Sequence, residues 1–221
     1  MSGTLALVGG MAWQDKCTFD AALLEASGTD EVLVLPTAAA YEHPERIVAA
    51  AERYFAPLGA TSRGLMVLRR PDALEKENVD AVREARFLYV VGGSPLHLRS
   101  VLMHSPLWDA IVDAWHDGAV LAGSSAGSMV LCDPMVDPRG GAFTLGLGLV
   151  AQLAVIPHHE TWSEEKAKRT IALAPKGLVL VGIDEQTALI RSPDGGWRVE
   201  GAGQVVAFRD GQEVGLDALP R

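Results

Sequence analysis

The chain has 221 residues, 48% of them hydrophobic, which is enough for a substantial core and predicts one domain over residues 1–221. A formal charge of -9 and a pI near 5.1, with no basic block, exclude nucleic acid as a partner. No apolar stretch reaches the roughly 18 residues of a membrane span, and MSGTLALVGG lacks the basic end and cleavage site of a secretory signal, which predicts a cytoplasmic protein with no membrane association.

From the N-terminus, TLALV (4–8), EVLVLP (31–36), GLMVL (64–68), RFLYVV (86–91) and GAVLAG (118–123) are short, nearly unbroken apolar runs. Such runs suit strands buried on both faces of a parallel sheet. Between them, PERIVAAAERYFAPLG (44–59) and VDAVREAR (79–86) carry the amphipathic spacing of crossover helices. The alternation predicts a doubly wound, mostly parallel α/β sheet flanked by helices. LVGG (7–10) lacks the rest of the dinucleotide fingerprint G-x-G-x-x-G, so no NAD is predicted. SPLWDAIVDAW (105–115) reads as an outer helix apolar enough to permit a homodimer. After Pro175 the texture changes to KGLVLVGID, TALIRS, GWRVEG and QVVAFRDG, short runs between turn signals that predict late antiparallel strands and hairpins. Cys17 and Cys132 are too few for a disulfide framework, lack metal-ligand spacing and read as packing residues.

The chemistry concentrates in VLAGSSAGSMVL, where Gly123 and Gly127 flank Ser125 between a strand and a helix. This is the G-x-S-x-G pattern of a sharp turn that lifts a hydroxyl clear of a sheet. Small flanks are needed because backbone closes on backbone there, and the Ala126 N–H at the helix start is a natural oxyanion donor. Ser125 is the candidate nucleophile, and Ser124 has the same chemistry in the wrong register. The rival reading is a turn whose serines cap the helix or hold a phosphate.

A serine needs a base, and the downstream His pair lies in AVIPHHE (154–160), where Pro157 fixes an extended exit from a strand-like run. His158 or His159 supplies the imidazole. Three carboxylates compete to orient it: Asp137 in DPMVDPRGG, Glu160, and Glu185 in VGIDEQTALI. Their spacing does not rank them. A second oxyanion donor is expected at the strand end in YVVGGSPLHL, from Gly92-Gly93.

With VVGGSPLHL, AGSSAGS, VIPHH and GIDEQTA in this order, the chain from about residue 5 to residue 208 resembles the serine peptidases that include dipeptidase E and cyanophycinase. The resemblance implies a fold like that of class I glutamine amidotransferases, flavodoxin-like in outline, with Ser in place of Cys at the elbow. It matches Ser125 to the nucleophile, His158 to the base and Gly93 to the oxyanion glycine of a G-G-N-x-x-x-L stretch, in which this chain has Ser94 for Asn and keeps Leu98. It points to Glu185 as the third member, with Asp137 as the alternative acid lying between Ser and His. No metal or organic cofactor is implied. The implied substrate is a small peptide with an acidic residue on the acyl side, for which Arg139, Lys166, Lys168 and Arg169 are the candidate cations; a solvated helix face explains SEEKAKR (163–169) as well.

Two further classes compete: a non-catalytic member of this fold, and an α/β-hydrolase esterase with Ser125, Asp137 and His158 in that fold's chain order. Only about 33 residues separate Ser125 from His158, little room for the elements that fold places there, and no HGGG-type motif is present.

Overall fold

Alternating side chains of the apolar runs enter two different cores, and this makes the sheet the centre of the molecule. Leu5 and Leu7 join Leu33, Leu88 and Leu121 on one face, while Ala6 and Val8 join Val32, Phe87 and Ala122 on the other. The computed structural model describes residues 2–220. In chain order it contains β1 (Leu5–Val8), α1 (Phe19–Ser27), β2 (Glu31–Leu35), α2 (Pro44–Phe55), β3 (Thr61–Gly64), α3 (Lys76–Glu84) and β4 (Phe87–Val90). Next come α4 (Pro95–Leu102), α5 (Pro106–His116), β5 (Val120–Ser124) and α6 (Ala126–Leu131). The two-residue strands β6 (Cys132–Asp133), β7 (Met135–Val136), β8 (Phe143–Thr144) and β9 (Val150–Ala151) follow, pairing β6 with β9 and β7 with β8. The chain then runs through β10 (Leu153–Pro157), α7 (Glu164–Ala172), β11 (Val179–Ile183), β12 (Thr187–Arg191), β13 (Trp197–Gly201), β14 (Val205–Arg209) and β15 (Gln212–Val214).

The main sheet has the order β13-β12-β1-β5-β4-β2-β3, parallel from β1 to β3 and antiparallel where β12 and β13 join. The fold is thus the expected mostly parallel α/β sheet flanked by helices. The late segment departs from a simple set of hairpins: β11 runs parallel to β10 and, with β14 and β15, builds a second sheet of order β10-β11-β14-β15. The strand expected over 64–68 is instead β3, ending at Gly64. Leu65 donates its N–H to the Val34 carbonyl, Val67 turns back to donate to Leu65, and both side chains are buried in a loop. Thr61–Gly64 is polar because it is the edge of the sheet. The helix expected over 79–86 spans Lys76–Glu84, and the apolar residues of α5, including Trp108, Ile111 and Trp115, are buried within this chain. Cys17 and Cys132 are buried free thiols. No helix among the described residues is long and apolar enough to cross a membrane.

One group in the second core titrates where a soluble carboxylate would not. Asp20 on α1 is wholly buried and neither oxygen has a hydrogen-bond partner, since the nearby Tyr54 hydroxyl donates to the Cys17 carbonyl. Burial pushes its carboxyl up to about 8. Between about pH 4 and pH 8 the folded chain therefore holds a proton that the unfolded chain has released. Stability from this group is complete below pH 4 and is lost as pH rises toward 8, at a slope of up to about 1.4 kcal/mol per pH unit. Asp20→Asn, which keeps the shape of the protonated acid, is expected to flatten that slope. Urea unfolding at pH 5 and pH 8 would show a smaller stability difference in the variant than in the native chain.

Candidate active site

Ser125 stands between β5 and α6 with φ 51° and ψ −110°, a conformation that a non-glycine residue adopts only when its surroundings impose it. Its N–H donates to the Val8 carbonyl, and its carbonyl accepts from Met129 in the first turn of α6. The flanking glycines are required by contact: a Cβ on Gly127 would stand 2.3 Å from the Val90 carbonyl oxygen, and one on Gly123 would stand 2.8 Å from the Gly127 backbone. Ser124 closes β5 and is buried. Ser125 is the serine that meets the histidine.

The base candidate comes from the second sheet. Pro157 ends β10 in register with Ile183 at the end of β11, so the residues following each strand emerge side by side. His158 and Glu185 are among those residues. Glu185 Oε1 lies 2.7 Å from His158 Nδ1, and Ser125 Oγ lies 2.9 Å from His158 Nε2. A carboxylate only accepts, so Nδ1 carries the proton donated to Glu185, and Nε2 is free to accept from the serine hydroxyl. The arrangement is a continuous serine, imidazole and carboxylate chain, suited to drawing a proton from Ser125 as it attacks a carbonyl.

The other candidates are engaged elsewhere. His159 Nδ1 faces Asp184 at 3.6 Å and its ring lies over Gly182, away from the serine. Glu160 accepts the Glu185 backbone N–H at 2.9 and 3.1 Å, and so positions the loop that carries Glu185. Asp137 does not reach His158. It accepts from the Arg139 guanidinium at 2.9 and 2.7 Å and from the Arg139 backbone N–H, contacts that hold its carboxyl down at about 2. The short link from Asp137 to Arg139 closes a turn on itself instead of folding back on the site. Lys168 pairs with Glu164, and Lys166 sits 3.5 Å over the Trp162 ring.

Ala126 is the first residue of α6, so its N–H has no intrahelical acceptor. Gly93 has φ +136° and packs against the Ala38 backbone, where a Cβ would stand 2.4 Å from the carbonyl oxygen. Its neighbour Gly92 is the glycine that adjoins the serine: a Cβ there would stand 3.1 Å from Ser125 Cβ and 3.6 Å from Oγ. Gly92, Gly93, Ser124, Ser125 and His158 border one cleft of about 380 Å³, whose remaining wall is apolar. Among the described residues no cluster of His, Cys, Asp and Glu could hold a metal ion.

Sequence reasoning missed Gly10. The LVGG end of β1 resembles half a nucleotide fingerprint, but its work is to floor the histidine: Gly9 accepts the His158 N–H, Gly10 accepts the Gln186 N–H, and a Cβ on Gly10 would stand 2.1 Å from His158 Cε1. Gly10 also holds φ +139°, which strains any side-chain-bearing residue. Gly10→Ala is therefore expected to push the imidazole off its partners and lower kcat by about 10²-fold, the usual consequence of an ångström of misplacement. Steady-state kinetics would show kcat falling more than KM changes.

Comparison with known proteins places this geometry in context. The model of peptidase family S51 matches residues 5–196. A cyanophycinase from Nostoc sp. is 29% identical over 164 residues, covering 69% of this chain and 55% of that protein. One from Synechococcus elongatus is 26% identical over 192 residues, covering 81% of this chain and 59% of that protein. The chain thus spans a little over half the length of these curated relatives. Among solved structures, a peptidase from an acI-B1 Actinobacterium has a TM-score of 0.86 and 33% identity, over 97% of this chain and 93% of that one. A putative peptidase E protein from Listeria monocytogenes has a TM-score of 0.62 at 18% identity, over 95% and 99% of the two chains, a likeness of fold.

Proposed function

The chain belongs to peptidase family S51, and from that premise we propose that it is a serine peptidase acting on small peptides through Ser125, His158 and Glu185. The observation that carries the reading is the unbroken hydrogen-bonded chain from Ser125 Oγ through both imidazole nitrogens to Glu185. Ser125 Oγ attacks the peptide carbonyl while His158 Nε2 takes its proton, and the imidazolium is stabilised by Glu185. The oxyanion is met by the Ala126 N–H and by the backbone at Gly92-Gly93, which adjoins the serine. His158 then passes the proton to the leaving amine, and a water activated by the same nitrogen releases the acyl group from Ser125. An aspartyl residue on the acyl side, as the resemblance implies, finds no lysine or arginine in the wall of the cleft.

The test is covalent. A fluorophosphonate probe should add one phosphonyl group to the native chain, and mass analysis should map it to Ser125. An adduct on Ser124, or none under conditions that label an authentic serine hydrolase, would overturn the assignment and favour a binding role for the turn.

A further inference from the structure

The cleft beside Ser125 is walled by Met11, Ala12, Trp13, Ile47 and Val91, and apart from His158 none of its lining residues is ionisable. The wall is built in advance of any ligand. Trp13 packs edge-on against Tyr89, with ring centroids 5.1 Å apart, and against Phe55 at 6.3 Å, so it stands on the buried aromatic cluster beneath it. Met11 and Trp13 both hold positive φ, 48° and 63°, directly after Gly10. This turn keeps Met11 half exposed at the lip, where its unbranched chain adapts to what enters. Ile47 comes from the opposite side on α2, and Val91 leads into the Gly92-Gly93 strand end that adjoins the nucleophile.

The candidate cations are spent elsewhere. Arg139 is tied to Asp137 and Lys168 to Glu164, Lys166 covers Trp162, and Arg169 lies along Gly141. A carboxylate entering the cleft would lose water with no cation to replace it, whereas an aliphatic or thioether side chain would bury its surface against four apolar residues and a ring. A volume of about 380 Å³ suits one side chain of medium size with its adjoining backbone.

Resting on the peptidase reading, we propose that this cleft is the acyl-side specificity subsite and that it takes an uncharged, apolar residue such as leucine or methionine in preference to an acidic one. The side chain is borne by the carbon attached to the attacked carbonyl, so it must lie near the oxyanion backbone. The cleft opens from that same strand end.

The experiment measures how fast the full chain is labelled by peptidyl diphenyl phosphonates carrying a leucine, methionine or aspartate side chain at the phosphonate carbon, with a plain fluorophosphonate alongside. The expected result is labelling by the leucine and methionine probes at least about tenfold faster than by the aspartate probe, the scale on which an apolar pocket discriminates. Ile47→Arg, which places a cation in the wall, is expected to narrow or invert that ratio. Equal rates for the three probes, or a faster aspartate probe, would overturn the proposal while leaving the nucleophile in place. Failure of the plain fluorophosphonate as well would sink the peptidase reading and this subsite with it.

Discussion

Replacing Ser125 with alanine is expected to lower peptide turnover roughly a million-fold, to the level set by substrate binding and the oxyanion backbone alone. The expectation follows from how little else the hydroxyl does. Its hydrogen-bond partner is His158, whereas the contacts that hold the turn are made by the backbone, through Val8 and Met129. Alanine keeps those bonds and shares serine's conformational limits, so the strained φ of 51° is carried over unchanged. The variant should unfold at nearly the native urea concentration while its kcat collapses. Comparing denaturation midpoints with turnover of a leucyl peptide checks both halves. A variant that keeps a tenth of the activity would mean that water is activated directly, or that another group attacks.

The fold was legible because its core strands are local apolar runs, and β1, β2, β4 and β5 lie where those runs are. The sharp turn at Ser125 was legible for a related reason. Two glycines and a serine within five residues record a steric demand, and Gly127 against Val90 is that demand. What escaped is non-local. Nothing in VIPHHE or GIDEQTA announces that β10 and β11 pair in parallel with Pro157 opposite Ile183, yet that register brings Glu185 to His158. For the same reason LVGG, too incomplete a fingerprint to predict NAD, carries no legible role in the sequence. Its glycines answer to a histidine nearly 150 residues further along the chain, and only the approach of the second sheet to the end of β1 reveals the contact. Leu65 and Val67 failed in the opposite direction: burial in a loop leaves the same apolar signature as burial in a strand.

Glu185→Gln separates the two carboxylates that the family resemblance leaves as candidates, Glu185 and Asp137. The glutamine side chain fits the same space, and the Glu185 backbone N–H stays fixed by Glu160, so the substitution alters charge and proton preference with little change of position. The native carboxylate accepts from Nδ1 and so leaves Nε2 unprotonated toward Ser125. A carboxamide can instead present its NH₂ to Nδ1, which favours the tautomer with the proton on Nε2, where it can no longer accept from the serine. It also removes the negative charge that stabilises the imidazolium. The expected loss is about 10⁴-fold in kcat, the size seen when an orienting carboxylate becomes an amide in a serine triad. Asp137→Asn should behave differently: that carboxylate is engaged by Arg139 and makes no hydrogen bond to His158, so its loss should loosen the 137–141 turn while kcat stays within about threefold. Kinetics of the two variants on one substrate decide the matter. If Asp137→Asn proved the more damaging, the 2.7 Å contact between His158 and Glu185 would be incidental, and the loop bearing Asp137 would have to swing onto the imidazole during the reaction.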